Sequence, residues 1–174
     1  EPSSKVRRTR SAFAWEWLRH PGNRPEEDAR IFLEETQISA QDWRGKLVLD
    51  AGCGMGRYTC AALSLGATVV ALDLSDSITR LAQEARGNEN LHLVQGDLLF
   101  PPLREELFDV AYSQGVLHHT ADARRAFRAV AKRVRPAGLL SVWLYGRPGS
   151  WAGFRGNPLK PSRRWLASVL PLVW

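Results

Sequence analysis

The stretch Lys46-Leu-Val-Leu-Asp50-Ala-Gly52-Cys-Gly54-Met-Gly56-Arg57 decides the reading of this chain. Residues 46–51 are apolar apart from Lys46 and Asp50, which suits a strand buried on both faces of a parallel sheet. Three alternate glycines come next. They let the backbone turn tightly and let a ligand approach it closely. Arg57–Leu65 then reads as a helix that Gly66 ends. Strand, Gly-rich turn and helix in this order open a nucleotide-binding α/β unit. Many such folds share a Gly-rich turn, so the choice of ligand rests on the residues downstream of it.

The alternation continues. Thr68–Asp73 reads as a strand and Asp76–Ala85 as a helix capped by Ser75 or Asp76. Leu91–Gln95 and Phe108–Ser113 read as strands. Ala123–Val134 reads as an amphipathic helix capped by Asp122 or Thr120, and Gly138–Tyr145 as a fifth strand. Apolar strands alternating with helices predict an α/β three-layer sandwich with a central, mostly parallel sheet. Upstream, Pro25 and the acids Glu26, Glu27 and Asp28 start a helix that runs to about Thr36. Downstream, residues 150–164 are rich in Gly, Pro and Arg, and Ser162 caps a final helix, Arg163–Leu170. The expected organisation is an N-terminal helical and aromatic segment (1–45), a ligand-binding core (46–146) and a basic, apolar C-terminal segment (147–174).

Bulk properties narrow the class. The net charge of +6 is unevenly spread: residues 123–174 carry eleven basic side chains and no acid. Such a tail is either a solvated helix face or a contact for nucleic acid or membrane. The two cysteines, Cys53 and Cys60, fit no zinc spacing and no disulfide framework. They read as reduced thiols, Cys53 being a small residue that fits its loop. No secretory signal and no apolar run of spanning length occur, so a cytoplasmic protein without membrane or metal is expected.

The residues that carry chemistry lie where strands end. Asp73 closes the second strand, 21 residues after Gly52, where a carboxylate accepts both ribose hydroxyls of an adenosine ligand. Asp97 comes after the third strand and suits an adenine amino group, with Leu74 and Leu98 flanking the ring. Ser113-Gln114-Gly115-Val116-Leu117-His118-His119 comes after the fourth strand and faces the reacting end. Two adenosine ligands compete. A dinucleotide places pyrophosphate at the helix N-terminus, where Asp50 repels it. S-adenosylmethionine places an ammonium and a carboxylate there; Asp50 attracts the first, directly or through water, and loop N–H groups or Arg57 meet the second. The charge of Asp50 favours S-adenosylmethionine.

With VLDAGCGMGRYT (48–59), VVALDLS (69–75), LVQGDL (93–98), FDVAYSQGVLHHT (108–120) and VRPAGLLSVWLYG (134–146), the chain resembles the class I, seven-strand, Rossmann-like S-adenosylmethionine-dependent methyltransferases. Phe13-Ala-Trp15-Glu-Trp17 is similar to the aromatic segment that precedes the core in a subgroup of them. The resemblance implies that Asp50, Gly52, Gly54 and Gly56 line the methionine side, that Asp73 takes the ribose, that Asp97 and Leu98 meet the adenine and that Gln114 lies near the sulfonium. Two departures stand out. Ala137-Gly138 replaces a Gly-Gly pair before the fifth strand, and no sequence matches the sixth and seventh strands. The chain also opens on Glu1. The missing strands and this start point to a piece of a longer enzyme whose remainder completes the substrate site.

Bland readings compete with several of these roles. His118 and His119 are candidate general bases, but one can pack and the other help start the next helix. Trp15 and Trp17 either cover the cofactor by cation–π attraction or pack an N-terminal helix. Arg57 is a carboxylate ligand or a solvated helix residue, and Tyr145 lines a substrate pocket or packs. The function expected is methyl transfer to an O, N or C nucleophile of a small-molecule acceptor, since no nucleic-acid module accompanies the core. The alternatives are a non-catalytic cofactor-binding domain and an RNA-modifying enzyme that uses the Arg-rich tail.

Overall fold

The computed structural model describes residues 25–145 and 165–171. Helix α1 (Pro25–Thr36) is followed by a short 3-10 turn, Ala40–Asp42. Then come β1 (Leu47–Ala51), α2 (Arg57–Ser64), β2 (Thr68–Asp73), α3 (Ser77–Glu84), β3 (Leu91–Gln95) and β4 (Phe108–Gln114). The 3-10 turn Leu117–His119, α4 (Ala123–Ala131), β5 (Val134–Tyr145) and β6 (Trp165–Pro171) complete it. The strands form one sheet in the order β3-β2-β1-β4-β5-β6. β1 to β5 are parallel and β6 runs antiparallel to β5.

Strand alternation divides the core. Val48, Val69, Ala71, Val110 and Tyr112 face α1, α2 and α3, and Phe32, Ile38 and Trp43 join them in one buried cluster. Leu49, Ala51, Val70, Leu72, Ala111 and Leu140 face the other way, onto Ala126 and Val130 of α4. Residues from α1 through Trp43 thus share the core of the sheet.

Two elements differ from expectation. The helix after Asp122 ends at Ala131, and Val134 already pairs with Phe108. Between that pair and Val110–Leu139 the register shifts, so residues 135–138 bulge out of the ladder. Val134 is buried in the strand, and an apolar residue suits the inner face of a helix equally, so its character marked no boundary. The second difference is at the C-terminal end: Trp165–Pro171 is strand β6, not a helix, with Leu139 opposite Pro171 and Tyr145 opposite Trp165. A seven-residue apolar run suits either structure alone, and the open edge of β5 supplies the partner that decides it. The sequence reading found no strand after the fifth, whereas β6 adds one antiparallel to it. Ser162, Arg163 and Arg164 lie outside the described residues.

Asp122 caps α4 as expected, its Oδ1 accepting from Arg125 N at 2.9 Å. Asp76 is the N-cap of α3, but its side chain makes no capping bond there. No helix among the described residues is long and apolar enough to cross a membrane.

Candidate functional site

The strand order reverses at β1, which has β2 on one side and β4 on the other. At such a switch point the loops leaving two neighbouring strands diverge and open a crevice at the strand C-termini. Here they are the Gly-rich loop after β1 and residues 115–119 after β4. The loops touch: a Cβ on Gly52 would meet Val116 Cγ1 at 2.4 Å. Gly52 N and Cys53 N donate to Leu72 O at 2.7 and 3.2 Å, which ties the loop to β2.

The three glycines serve different ends. Gly52, Gly54 and Gly56 all have positive φ, at 96°, 55° and 88°. A Cβ on Gly56 would strike Leu81 of α3 at 2.3 Å, so Gly56 lets two helices close together. A Cβ on Gly54 would meet nothing within 4 Å. Gly54 therefore faces open space, and its N–H donates to Asp73 Oδ2 at 2.8 Å. Asp73 Oδ1 accepts from Ser75 N and Ser75 Oγ at 2.8 and 2.6 Å. The carboxylate is thereby fixed at the end of β2, beside the loop.

Asp50 is nearly enclosed, with 3% of its surface exposed. Its Oδ2 accepts from Thr59 Oγ1 at 2.6 Å and Tyr112 OH at 2.8 Å. Burial pushes the Asp50 carboxyl up to about 7; the two hydrogen bonds oppose that and the charge of Asp73 adds to it. Cys53 beside it is also raised, first by burial and then by Asp50 and Asp73. It stays a thiol, which fits a packing residue and not a nucleophile.

At the end of β4, Gln114 Nε2 donates to Ser141 Oγ at 3.3 Å, while its Oε1 is enclosed with no hydrogen-bond partner among the described residues. His118 and His119 lie on the 3-10 turn with ring centroids 3.9 Å apart. Desolvation, helped by His119, lowers the His118 imidazole to about 4. In the loop after β3, Asp97 Oδ1 accepts from Leu99 N at 2.8 Å. Leu74 is 39% exposed, whereas Leu98 is buried in the core on the α4 side. Arg57 points elsewhere: its Nε donates to Asp28 Oδ1 of α1 at 2.6 Å. Trp15 and Trp17 lie outside the described residues.

The sequence reading missed the partners of Asp50 and Arg57. Tyr112 stands directly across from Asp50 in the β1–β4 register. A tyrosine inside an apolar strand was the available signal, because a buried phenol needs a partner. Asp28 gave none, being one of three acids in the first turn of α1.

These residues suit a ligand with an adenosyl and an aminoacyl end. An ordered carboxylate at β2, a cradle over Gly54 that a Cβ would fill, an unpartnered amide oxygen on Gln114 and an acid under the loop are the donor set such a ligand needs. Among the described residues no cluster of His, Cys, Asp and Glu is arranged to hold a metal ion.

A family model described as a methyltransferase domain matches residues 49–142. The malonyl-[acyl-carrier protein] O-methyltransferase of Pseudescherichia vulneris is 36% identical over 94 residues, which cover 54% of this chain and 37% of that protein. The tRNA (carboxymethyluridine(34)-5-O)-methyltransferase of Arabidopsis thaliana is 34% identical over 104 residues, 57% of this chain and 24% of that one. The solved structure of the S-adenosylmethionine dependent methyltransferase from Mesorhizobium loti is similar at a TM-score of 0.56 and 29% identity, over 80% of this chain and 62% of that chain. The chain thus spans about a quarter to a third of the length of these two curated relatives. With the matched segment running from the first strand to the fifth, the chain belongs to the methyltransferase domain family and carries the Rossmann-like core of the class I, S-adenosylmethionine-dependent enzymes.

Proposed function

We propose that this chain catalyses methyl transfer from S-adenosylmethionine to an O, N or C nucleophile of a small-molecule acceptor in the cytoplasm. The observation that carries this reading is the pairing of Gly54 N–H with the Asp73 carboxylate beside open space. When bound, S-adenosylmethionine supplies a methyl group activated on a sulfonium. The chain's part is to bind and orient. Asp73 takes the ribose hydroxyls, Asp97 and Leu74 meet the adenine with Leu98 beneath them, and Asp50, Gly52, Gly54 and Gly56 hold the aminoacyl end. Gln114 offers its Oε1 toward the reacting centre. In-line transfer depends mainly on such positioning. Where the acceptor must lose a proton, His118 is the base: its imidazole is neutral at physiological pH, and its lowered affinity for protons makes it a weak base suited to an acidic acceptor. His119 supports it by facing its ring.

Asp73 ends β2 and Asp97 follows β3 by two residues, so the strand C-termini carry negative charge. That charge disfavours a phosphate backbone and favours a compact acceptor. The relatives act on unlike acceptors, a malonyl group on a carrier protein and a tRNA uridine, by their names, so the family alone does not choose. Cys53 and Cys60 are both thiols, which suits a reducing compartment.

Isothermal calorimetry with S-adenosylmethionine, S-adenosylhomocysteine and NAD, on the wild type and Asp73→Ala, tests the reading. Binding of the first two and its loss in the variant is expected. Binding of NAD alone overturns it.

A further inference from the structure

Asp50 has two carboxylate oxygens, and the fold uses them unequally. Thr59, on α2, and Tyr112, on β4, both donate to Oδ2. No hydrogen bond to Oδ1 occurs among the described residues. The Tyr112 ring is itself fixed: Phe32 of α1 packs edge-on at 4.9 Å and Trp43 at 5.9 Å between centroids. Tyr112 is fully buried, and so is Thr59. Neither phenol nor hydroxyl has freedom to release Oδ2, so the plane of the carboxyl group is set from two sides.

We propose that Thr59 and Tyr112 are positioning residues that aim Asp50 Oδ1 at the ammonium group on the aminoacyl end of the cofactor. This rests on the cofactor reading and extends it to two residues that touch neither cofactor nor acceptor. Donors shared between the two oxygens would satisfy the buried carboxyl for the fold alone. A buried carboxylic acid that takes two donors on one oxygen instead keeps the other available for a cation.

The arrangement has a second consequence. The titratable groups facing Asp50 are Asp73 from β2, Cys53 from the loop and Tyr112 from β4, with Cys60 of α2 acting on Tyr112. Among the described residues they include no base that pairs with it. An arriving ammonium is thus its counter-ion, and the ammonium pairs only with the ionised carboxyl. Binding of the aminoacyl end therefore tightens as pH rises through the range in which Asp50 loses its proton. Both donors favour the ionised form, so removing either moves that range to higher pH.

The test compares S-adenosylhomocysteine with 5′-methylthioadenosine, which has the adenosyl end but no ammonium. Their affinities are measured by calorimetry from about pH 6 to about pH 8.5, a range that brackets the Asp50 transition, on the wild type, Tyr112→Phe, Thr59→Val and Thr59→Ser. Tyr112→Phe and Thr59→Val are expected to weaken S-adenosylhomocysteine by roughly five- to tenfold at neutral pH, about one ordinary hydrogen bond. They should shift its pH dependence upward and leave 5′-methylthioadenosine unchanged. Thr59→Ser restores the donor and the wild-type profile. If both variants bind the two ligands in the wild-type ratio at every pH, the proposal fails while the cofactor reading stands. A wild type that binds neither ligand overturns both.

Discussion

Arg57 Nε lies 2.6 Å from Asp28 Oδ1, so the first residue of the helix after the Gly-rich loop is tied to the N-terminal helix. Asp28 is more enclosed than Arg57, with 14% of its side chain exposed against 34%. The neighbouring Tyr58 OH donates to Glu35 at 2.7 Å, a second link between the same two helices. Partial burial makes the ion pair worth more than a surface pair, on the order of 1 kcal/mol. Asp28→Ala should lower the melting temperature by about 2–4 °C for a chain of this size, and the loss should shrink in high salt. An unchanged melting temperature at low salt would show that the pair contributes nothing.

The glycines separate stability from binding. Gly56→Ala puts a methyl group 2.3 Å from Leu81 at a φ of 88°. It should destabilise by roughly 2–3 kcal/mol, combining overpacking with left-handed strain. Gly54→Ala meets no protein atom within 4 Å, so its cost to folding is the strain alone, about 1 kcal/mol. Its methyl group fills the cradle instead, so S-adenosylhomocysteine binding should fall by more than about tenfold. Ala137 reverses the case: it holds a φ of 61° where relatives of this class are expected to carry glycine. Ala137→Gly should be neutral or stabilise by up to about 1 kcal/mol. Urea unfolding of the three variants orders them, and a Gly56→Ala chain as stable as Gly54→Ala would contradict the close packing of Gly56 on Leu81.

The sheet and its site were legible to different degrees, for physical reasons. The strands β1, β2 and β4 announce themselves because burial on both faces demands apolar runs, and β3 is marked by the Gly96-Asp97 pair after it. The end of α4 did not, since an apolar residue such as Val134 suits a helix and a strand equally. β6 was misread because its identity depends on hydrogen bonds to β5, a strand distant in sequence. The same limit applies to chemistry. Asp50 and Asp73 are readable from their places at strand ends. Tyr112 as a partner of Asp50 depends on a register across 62 positions, and Asp28 as the partner of Arg57 depends on how two helices pack.

His118 is buried enough that its proton affinity falls from the ordinary 6.5 to about 4, first through desolvation and then through His119. The neutral form is favoured in the fold, while the unfolded chain takes up a proton below about 6.5. The residue's contribution to stability is therefore present at neutral pH and lost as pH falls from about 6.5 toward 4. His118→Gln should lose less stability than the wild type over that interval. NMR titration of the His118 ring protons should give a midpoint well below about 6. A midpoint near 6.5, the ordinary value, would place the ring in water and make it the stronger base.

Asp50 behaves in the opposite sense. Its folded-state value of about 7 lies above the ordinary 3.8 because burial disfavours the charge more than Thr59 and Tyr112 restore it. Between those values the folded chain binds a proton that the unfolded chain has released, so this group stabilises least when fully ionised, and its contribution declines as pH rises from about 4 to about 7. Asp50→Asn keeps an oxygen for both donors and abolishes the ionisation. The variant should therefore gain stability relative to wild type on going from about pH 5 to about pH 8, by an amount on the order of a few kcal/mol at most. The same variant should lose S-adenosylhomocysteine binding at the higher pH, where the wild type carries the charge. Parallel urea titrations at the two pH values check the first outcome. Equal stability differences at both would mean that Asp50 is ionised throughout, and that the enclosure of the carboxyl costs the fold nothing.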